Sequence, residues 1–124
     1  MAVIVHIEDD DVVAHIIDRV LSRDSHHILR ARTAREGIDL TRQYQPDLVI
    51  IDMWLPEGLD GWAAAQIMKE DPELTHIPLL AVTAQGNETS RQRALAIGFT
   101  GFISKPFEID RLRQTIRAML LDTN

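Results

Sequence analysis

The stretch that decides the fold is Pro46-Asp47-Leu48-Val49-Ile50-Ile51-Asp52. Its apolar run is too short and too β-branched for a helix, and no polar residue interrupts it. A strand buried on both faces reads this way. The run ends on a carboxylate, and Met53-Trp54-Leu55-Pro56 after it cannot extend a sheet. In an open parallel sheet, ligands bind beyond the carboxyl ends of the strands. Asp52 is therefore expected at the active edge of such a sheet.

Working outward, Val3-Ile4-Val5-His6-Ile7 reads as a first buried strand that runs directly into Glu8-Asp9-Asp10-Asp11. The first of these acids belongs at the same sheet edge as Asp52. A helix is predicted from about Asp10 to Arg23, with Val12, Val13, Ile16, Ile17, Val20 and Leu21 as one apolar stripe. Acids at its start suit the positive end of the helix dipole. His27–Ala31 reads as a short edge strand. Thr33-Ala34-Arg35-Glu36 fits a capping box opening a helix to about Tyr44, with Gly37 a weak spot. A third helix ends near Glu70. Ile77–Thr83 is predicted as a fourth strand with Pro78 tolerated at its start. Asn87 caps a helix that stops at Gly98. Gly101–Ser104 is a fifth strand, and a last helix from about Glu108 carries Ile109, Leu112, Ile116, Met119 and Leu120 on one face. Strand and helix alternate five times, which predicts a parallel sheet with helices on both sides.

At 124 residues the chain suits one domain, 1–124. It is 45% hydrophobic and 26% charged, as in globular proteins. No apolar run reaches the ~20 residues needed to span a bilayer, so membrane insertion is not expected. The first residues lack the order of a secretory signal, and cysteine is absent, which points to a cytoplasmic location and excludes thiolate sites. The net charge of −6 argues against direct nucleic-acid binding. The charge is uneven: residues 1–87 hold 7 basic and 15 acidic side chains, whereas residues 88–124 hold 6 and 4.

The predicted strand ends bring together Glu8, Asp9, Asp52, Thr83 and Lys105. Clustered carboxylates repel, and a hard cation resolves the repulsion. Mg²⁺ suits such a site because it takes oxygen ligands and keeps waters and substrate oxygens. Mg²⁺ and a lysine around a nucleophilic carboxylate make a phosphoryl-transfer arrangement. Asp10 reads as a cap, and His6 as a hydrogen-bonded core histidine. Arg111, Arg113 and Arg117 read as a solvated helix face.

These residues resemble the receiver domain of two-component response regulators over nearly the whole chain. The matching stretches are Val5–Asp10, Pro46–Met53, Leu55-Pro56, Asp60-Gly61, Pro78–Ala84 and Gly101–Phe107. The resemblance implies a flavodoxin-like, doubly wound five-stranded parallel sheet in the order 2-1-3-4-5 with five helices. It implies that Asp52 accepts a phosphoryl group from a histidine kinase or histidine phosphotransfer protein. Glu8, Asp9, Asp52 and the Trp54 backbone carbonyl would hold Mg²⁺. Thr83 and the Ala84 amide would bond the phosphoryl group, and Lys105 would pair with it. Thr83 and Phe102 would form the switch, Lys105-Pro106 would be cis, and the face made by the fourth helix, fifth strand and fifth helix would bind an output protein or a second copy. Arg91, Arg93, Arg111, Arg113 and Arg117 would be available on its helices. The stretch from Asp52 to Gly61 is one residue longer than the usual pattern, near Gly58. Such a domain promotes its own phosphorylation without being a turnover enzyme. A phosphatase of the haloacid dehalogenase type would need an aspartate where Trp54 stands. A flavin or dinucleotide binder would need a glycine-rich turn where the acids stand. The remaining alternative is a pseudo-receiver that binds partners without phosphorylation. The last helix leaves little sequence for an output domain, so the chain is expected to be a stand-alone regulator or a piece of a longer one.

Overall fold

Five parallel strands form one sheet in the order β2-β1-β3-β4-β5, with the Asp52 strand at its centre. The computed structural model describes residues 1–55, 58–84 and 86–122. The strands are β1 (Val3–Ile7), β2 (His27–Ala31), β3 (Leu48–Asp52), β4 (Leu79–Thr83) and β5 (Gly101–Ser104). The helices are α1 (Asp11–Arg23), α2 (Ala34–Tyr44), α3 (Gly61–Glu70), α4 (Glu88–Ile97) and α5 (Ile109–Asp122). The winding reverses between β1 and β3, and at such a switch point the strand ends leave a crevice.

Strand alternation sorts the core into two layers. Val5, Ile7, Val49, Ile51, Leu79 and Ala81 face one way, against Ile38 of α2, Ala64 and Met68 of α3 and Ala94 of α4. Ile4, Leu48, Ile50, Leu80 and Val82 face the other, against Ile17 and Leu21 of α1 and Leu112 and Ile116 of α5. All five residues of β3 are buried, as its uninterrupted apolar run requires. Each fully buried Leu or Ile contributes about 1.5–3 kcal/mol.

Side-chain caps fix where four helices begin. Asp10, Thr33, Asp60 and Asn87 accept hydrogen bonds from the amides of Val12, Glu36, Ala63 and Ser90 at 2.9, 3.2, 2.9 and 2.8 Å. Caps of this kind contribute about 1 kcal/mol each. The capping box at α2 is modified: Glu36 reaches back to the Arg32 amide, at 3.4 Å, one residue before the cap.

Three expectations are corrected. The apolar stripe of α1 is narrower than read, because Val12 and Ile16 are 68% and 50% exposed. At 3.6 residues per turn the six chosen residues sweep about 180°, too wide for one buried side. The buried centre is Ala14, Ile17 and Leu21. Gly37 is not a weak spot, since a Cβ there would collide with the Ile7 side chain; the glycine lets α2 approach β1. Strand β4 starts at Leu79, with Pro78 before it offering its carbonyl to the Val49 amide at 3.0 Å. Helix α5 starts at Ile109, within one residue of the expected start. The Lys105-Pro106 bond is cis. Pro56, within the loop read as one residue longer than usual, lies outside the described residues, as does Asn124.

Candidate functional site

The five residues read from the sequence as the strand-end cluster lie at or just beyond the carboxyl edge of the sheet, while Phe102 lies within β5. Glu8 and Asp9 follow β1, Asp52 ends β3, Thr83 ends β4, and Lys105 follows β5. Gly61 allows α3 to start against this edge, since a Cβ would come within 2.8 Å of the Asp52 carbonyl oxygen.

Carboxylate oxygens of Glu8, Asp9 and Asp52 lie within 4.8 Å of one another. Glu8 and Asp52 are buried and Asp9 is half-buried. Each buried carboxylate is aimed by a backbone amide two residues on. Asp52 Oδ1 accepts from Trp54 N at 3.1 Å, and Glu8 Oε2 accepts from Asp10 N at 3.3 Å. Lys105 Nζ lies 3.2 Å from Glu8 Oε1 and 3.7 Å from Asp52 Oδ2. The lysine is held by its backbone, whose amide donates to the Thr83 carbonyl at 2.7 Å and continues the β4–β5 ladder.

Burial pushes the Glu8 carboxyl above its ordinary range, and the neighbouring Asp52 carboxyl pushes the same way through hydrogen bond and charge. Lys105 opposes both without reversing them. Three carboxyl groups in this cluster face one ammonium. Its donors are all oxygen, the set a hard divalent cation prefers, and they are close enough to share one. Mg²⁺ fits these residues.

Thr83 is buried, and Ala84 beside it is exposed. The Trp54 side chain is 60% exposed, while its amide holds Asp52. The Trp62 ring meets Phe99 edge-on at 6.3 Å, and Arg93 lies 4.3 Å over it. Phe102 is half-buried and lines a groove of about 810 Å³ between α4, β5 and α5. Of the five arginines expected on that face, Arg91 and Arg111 line the groove. Arg93 is turned to Trp62, Arg117 lines a separate cavity with Leu121, and Arg113 forms a two-point pair with Asp24 at 2.8 and 2.7 Å. The expectation of a solvated Arg113 is thereby corrected. Asp24, the residue that ends α1, drew it toward the other side of α5.

His6 is the hydrogen-bonded core histidine expected, with Nδ1 2.7 Å from Asp18 Oδ1. Sequence reasoning missed Arg30. From the edge strand β2 its Nε and Nη2 donate to the Glu8 carbonyl at 3.1 and 2.7 Å, and Nη1 donates to Asp11 at 2.8 Å. The available signal was register, because Arg30 pairs with His6, two residues before Glu8.

The sequence pattern described as "Response regulator receiver domain" matches residues 4–117. The polar-differentiation response regulator DivK of Brucella ovis is 33% identical over 116 residues, which are 94% of both chains. A putative response regulator from Chloroflexus aurantiacus has 28% identity and a TM-score of 0.90, over 97% of this chain and 98% of that one. The receiver domain of Francisella response regulator 1452 superposes with a TM-score of 0.93 over 100% of both chains. At 21% identity it supports the fold alone.

Proposed function

As the chain belongs to the response regulator receiver family of two-component signalling, we propose that residues 1–124 act as one receiver domain whose Asp52 takes up a phosphoryl group. Receiver domains are signalling modules rather than conventional enzymes, and they work between phosphodonor kinases and output partners. The donor here is a histidine kinase or a histidine phosphotransfer protein, and a cytoplasmic location goes with that reading. No helix among the described residues is long and apolar enough to cross a membrane.

One observation carries the reading. The buried Asp52 has one oxygen held by the Trp54 amide and the other facing Lys105 at 3.7 Å, beside two further carboxylates. An Asp52 oxygen forms the new bond to phosphorus while the bond from phosphorus to the donor's imidazole nitrogen breaks, and that nitrogen leaves with the electron pair. Glu8, Asp9, Asp52 and the Trp54 carbonyl would hold Mg²⁺, which when bound would offset negative charge on the transferring group. Lys105 pairs with a phosphoryl oxygen, and the Thr83 hydroxyl and Ala84 amide donate to others. Lys105 already stands 3.7 Å from Asp52, so its charge is in place before reaction and costs little reorganisation during it.

Output follows from Thr83. Drawn toward the phosphoryl group, it vacates space that Phe102 enters, and the groove between α4 and α5 changes shape. An output protein or a second copy reads that face. Asp52→Asn should abolish phosphate incorporation from a small acyl phosphate, and chelating Mg²⁺ should abolish it in the wild type. Equal incorporation in Asp52→Asn would overturn the assignment. Undetectable incorporation in the wild type, with Mg²⁺ present, would favour the phosphorylation-independent pseudo-receiver.

A further inference from the structure

The four consecutive acids after β1 have divided duties. Glu8 and Asp9 face the site, Asp10 caps α1, and Asp11 turns away to bind Arg30 and Arg32 at 2.8 and 2.7 Å. The link between the two halves is the Glu8 carbonyl. The Glu8 amide continues the β1–β2 ladder by donating to the Ala31 carbonyl at 2.9 Å. In a parallel ladder the Glu8 carbonyl would next accept an amide about two residues beyond Ala31. There the chain has already turned, and Thr33 caps α2. The Arg30 guanidinium takes the place of that amide with two donors, and its third reaches Asp11.

This grip fixes the plane of the peptide between Glu8 and Asp9. The Asp10 cap fixes the chain on the other side of Asp9. Asp9, the least buried of the three clustered acids, lies between these two anchored points of the backbone. The two cations near this cluster differ in what they occupy. Lys105 sits on the carboxylate oxygens of Glu8 and Asp52. The Arg30 bonds go to a backbone carbonyl and to Asp11, so they leave the clustered oxygens open.

We propose that Arg30 is a positioning residue for the cation site: by clamping the Glu8 carbonyl to Asp11 it holds Asp9 in ligating position. The inference rests on the reading of Glu8, Asp9 and Asp52 as Mg²⁺ ligands. Residues that orient metal ligands without touching the metal typically change affinity about 10–100-fold when removed. Arg30→Met should weaken Mg²⁺ binding, measured calorimetrically with MgCl₂ well below the unfolding temperature, by about tenfold or more. Arg30→Lys keeps the charge but not the fork, so it should still bind Mg²⁺ several-fold more weakly than the wild type. Amide resonances of residues 9–12 should shift in the metal-free Arg30→Met protein. Thr33→Ala, which removes the neighbouring α2 cap, should lower the unfolding temperature and leave Mg²⁺ affinity and those amides unchanged. Should Arg30→Met not fold, Arg30→Lys and Asp11→Asn carry the test, Asp11→Asn with a smaller loss than Arg30→Lys. Wild-type affinity in Arg30→Met or Arg30→Lys, or an equal loss in Thr33→Ala, overturns the inference while the Mg²⁺ reading stands. A wild type that binds no Mg²⁺ overturns both.

Discussion

The two ends of α1 carry the same chemistry in opposite arrangements. Beyond its last turn, Asp24 meets Arg113 through two short parallel bonds, 2.7 and 2.8 Å, and each carboxylate oxygen has a donor of its own. Before its first turn, Glu8 shares Lys105 with Asp52 at 3.2 and 3.7 Å, and Asp9 stands beside them. The hydrogen bond to Arg113 holds Asp24 below the ordinary carboxylate range, whereas burial holds Glu8 above it. A completed pair ties α1 to α5. An incomplete one leaves oxygens and charge for something not supplied by the chain. The difference separates an ion pair that ties two helices together from a group of carboxylates close enough to share a cation.

Mg²⁺ should sharpen this contrast most. A ligand that binds only the folded form stabilises it by about 2.7 kcal/mol at a hundred times its dissociation constant. Thermal unfolding with MgCl₂ should show that gain in the wild type and in Arg113→Lys alike. Asp9→Asn should raise the metal-free unfolding temperature by relieving repulsion and should lose most of the response to Mg²⁺. An unchanged wild-type unfolding temperature at millimolar Mg²⁺ would mean that the cluster is not a cation site.

Acidity should separate the two ends next, with opposite signs. The folded-state pKa of Glu8 is raised from 4.5, so its contribution to metal-free stability is fully present below 4.5 and lost as pH rises through the folded value. Asp24 is lowered from 3.8, so its contribution is present above 3.8 and lost as pH falls through the folded value. At neutral pH without metal, Glu8→Gln should therefore melt above the wild type and Asp24→Asn below it. Both differences should shrink as the buffer is made acidic. Unfolding temperatures between pH 3 and 8 check this, and two differences of the same sign would break the comparison.

A smaller effect is expected from geometry alone. Arg113→Lys keeps the charge opposite Asp24 but loses the fork, so it should lower the unfolding temperature by less than Arg113→Ala does. Equal losses would show that the charge contributes nothing without the two-point geometry, and no loss in Arg113→Lys would show that the geometry adds nothing to the charge.

The sequence made the sheet and the site residues legible for a physical reason. Buried parallel strands leave unbroken apolar runs, and the residue that ends each run must lie at one edge. Leu48–Asp52 and Leu79–Thr83 announced both the strand and its terminal polar group. What periodicity could not supply was the direction of long side chains. Arg113 and Arg117 read as one solvated face with Arg111, yet Arg113 crosses to Asp24 of a distant segment. Arg30 read as an edge-strand residue, although its guanidinium completes a ladder position that β2 leaves empty. Val12 and Ile16 misled in the other direction, because an apolar residue on a helix need not be buried when two layers meet only part of its circumference. Gly37 misled because propensity counts its cost in the helix and not its clearance from Ile7.

The most direct test of the account is to locate the phosphoryl group. The wild-type protein would be treated with Mg²⁺ and a small acyl phosphate, the adduct converted by hydroxylamine to a stable derivative, and the modified peptide sequenced by mass spectrometry. The account predicts a single modified position, Asp52, formed only when Mg²⁺ is present. Modification at Glu8, at Asp9 or at a histidine with Asp52 untouched would contradict it, as would incorporation at Asp52 that is indifferent to Mg²⁺.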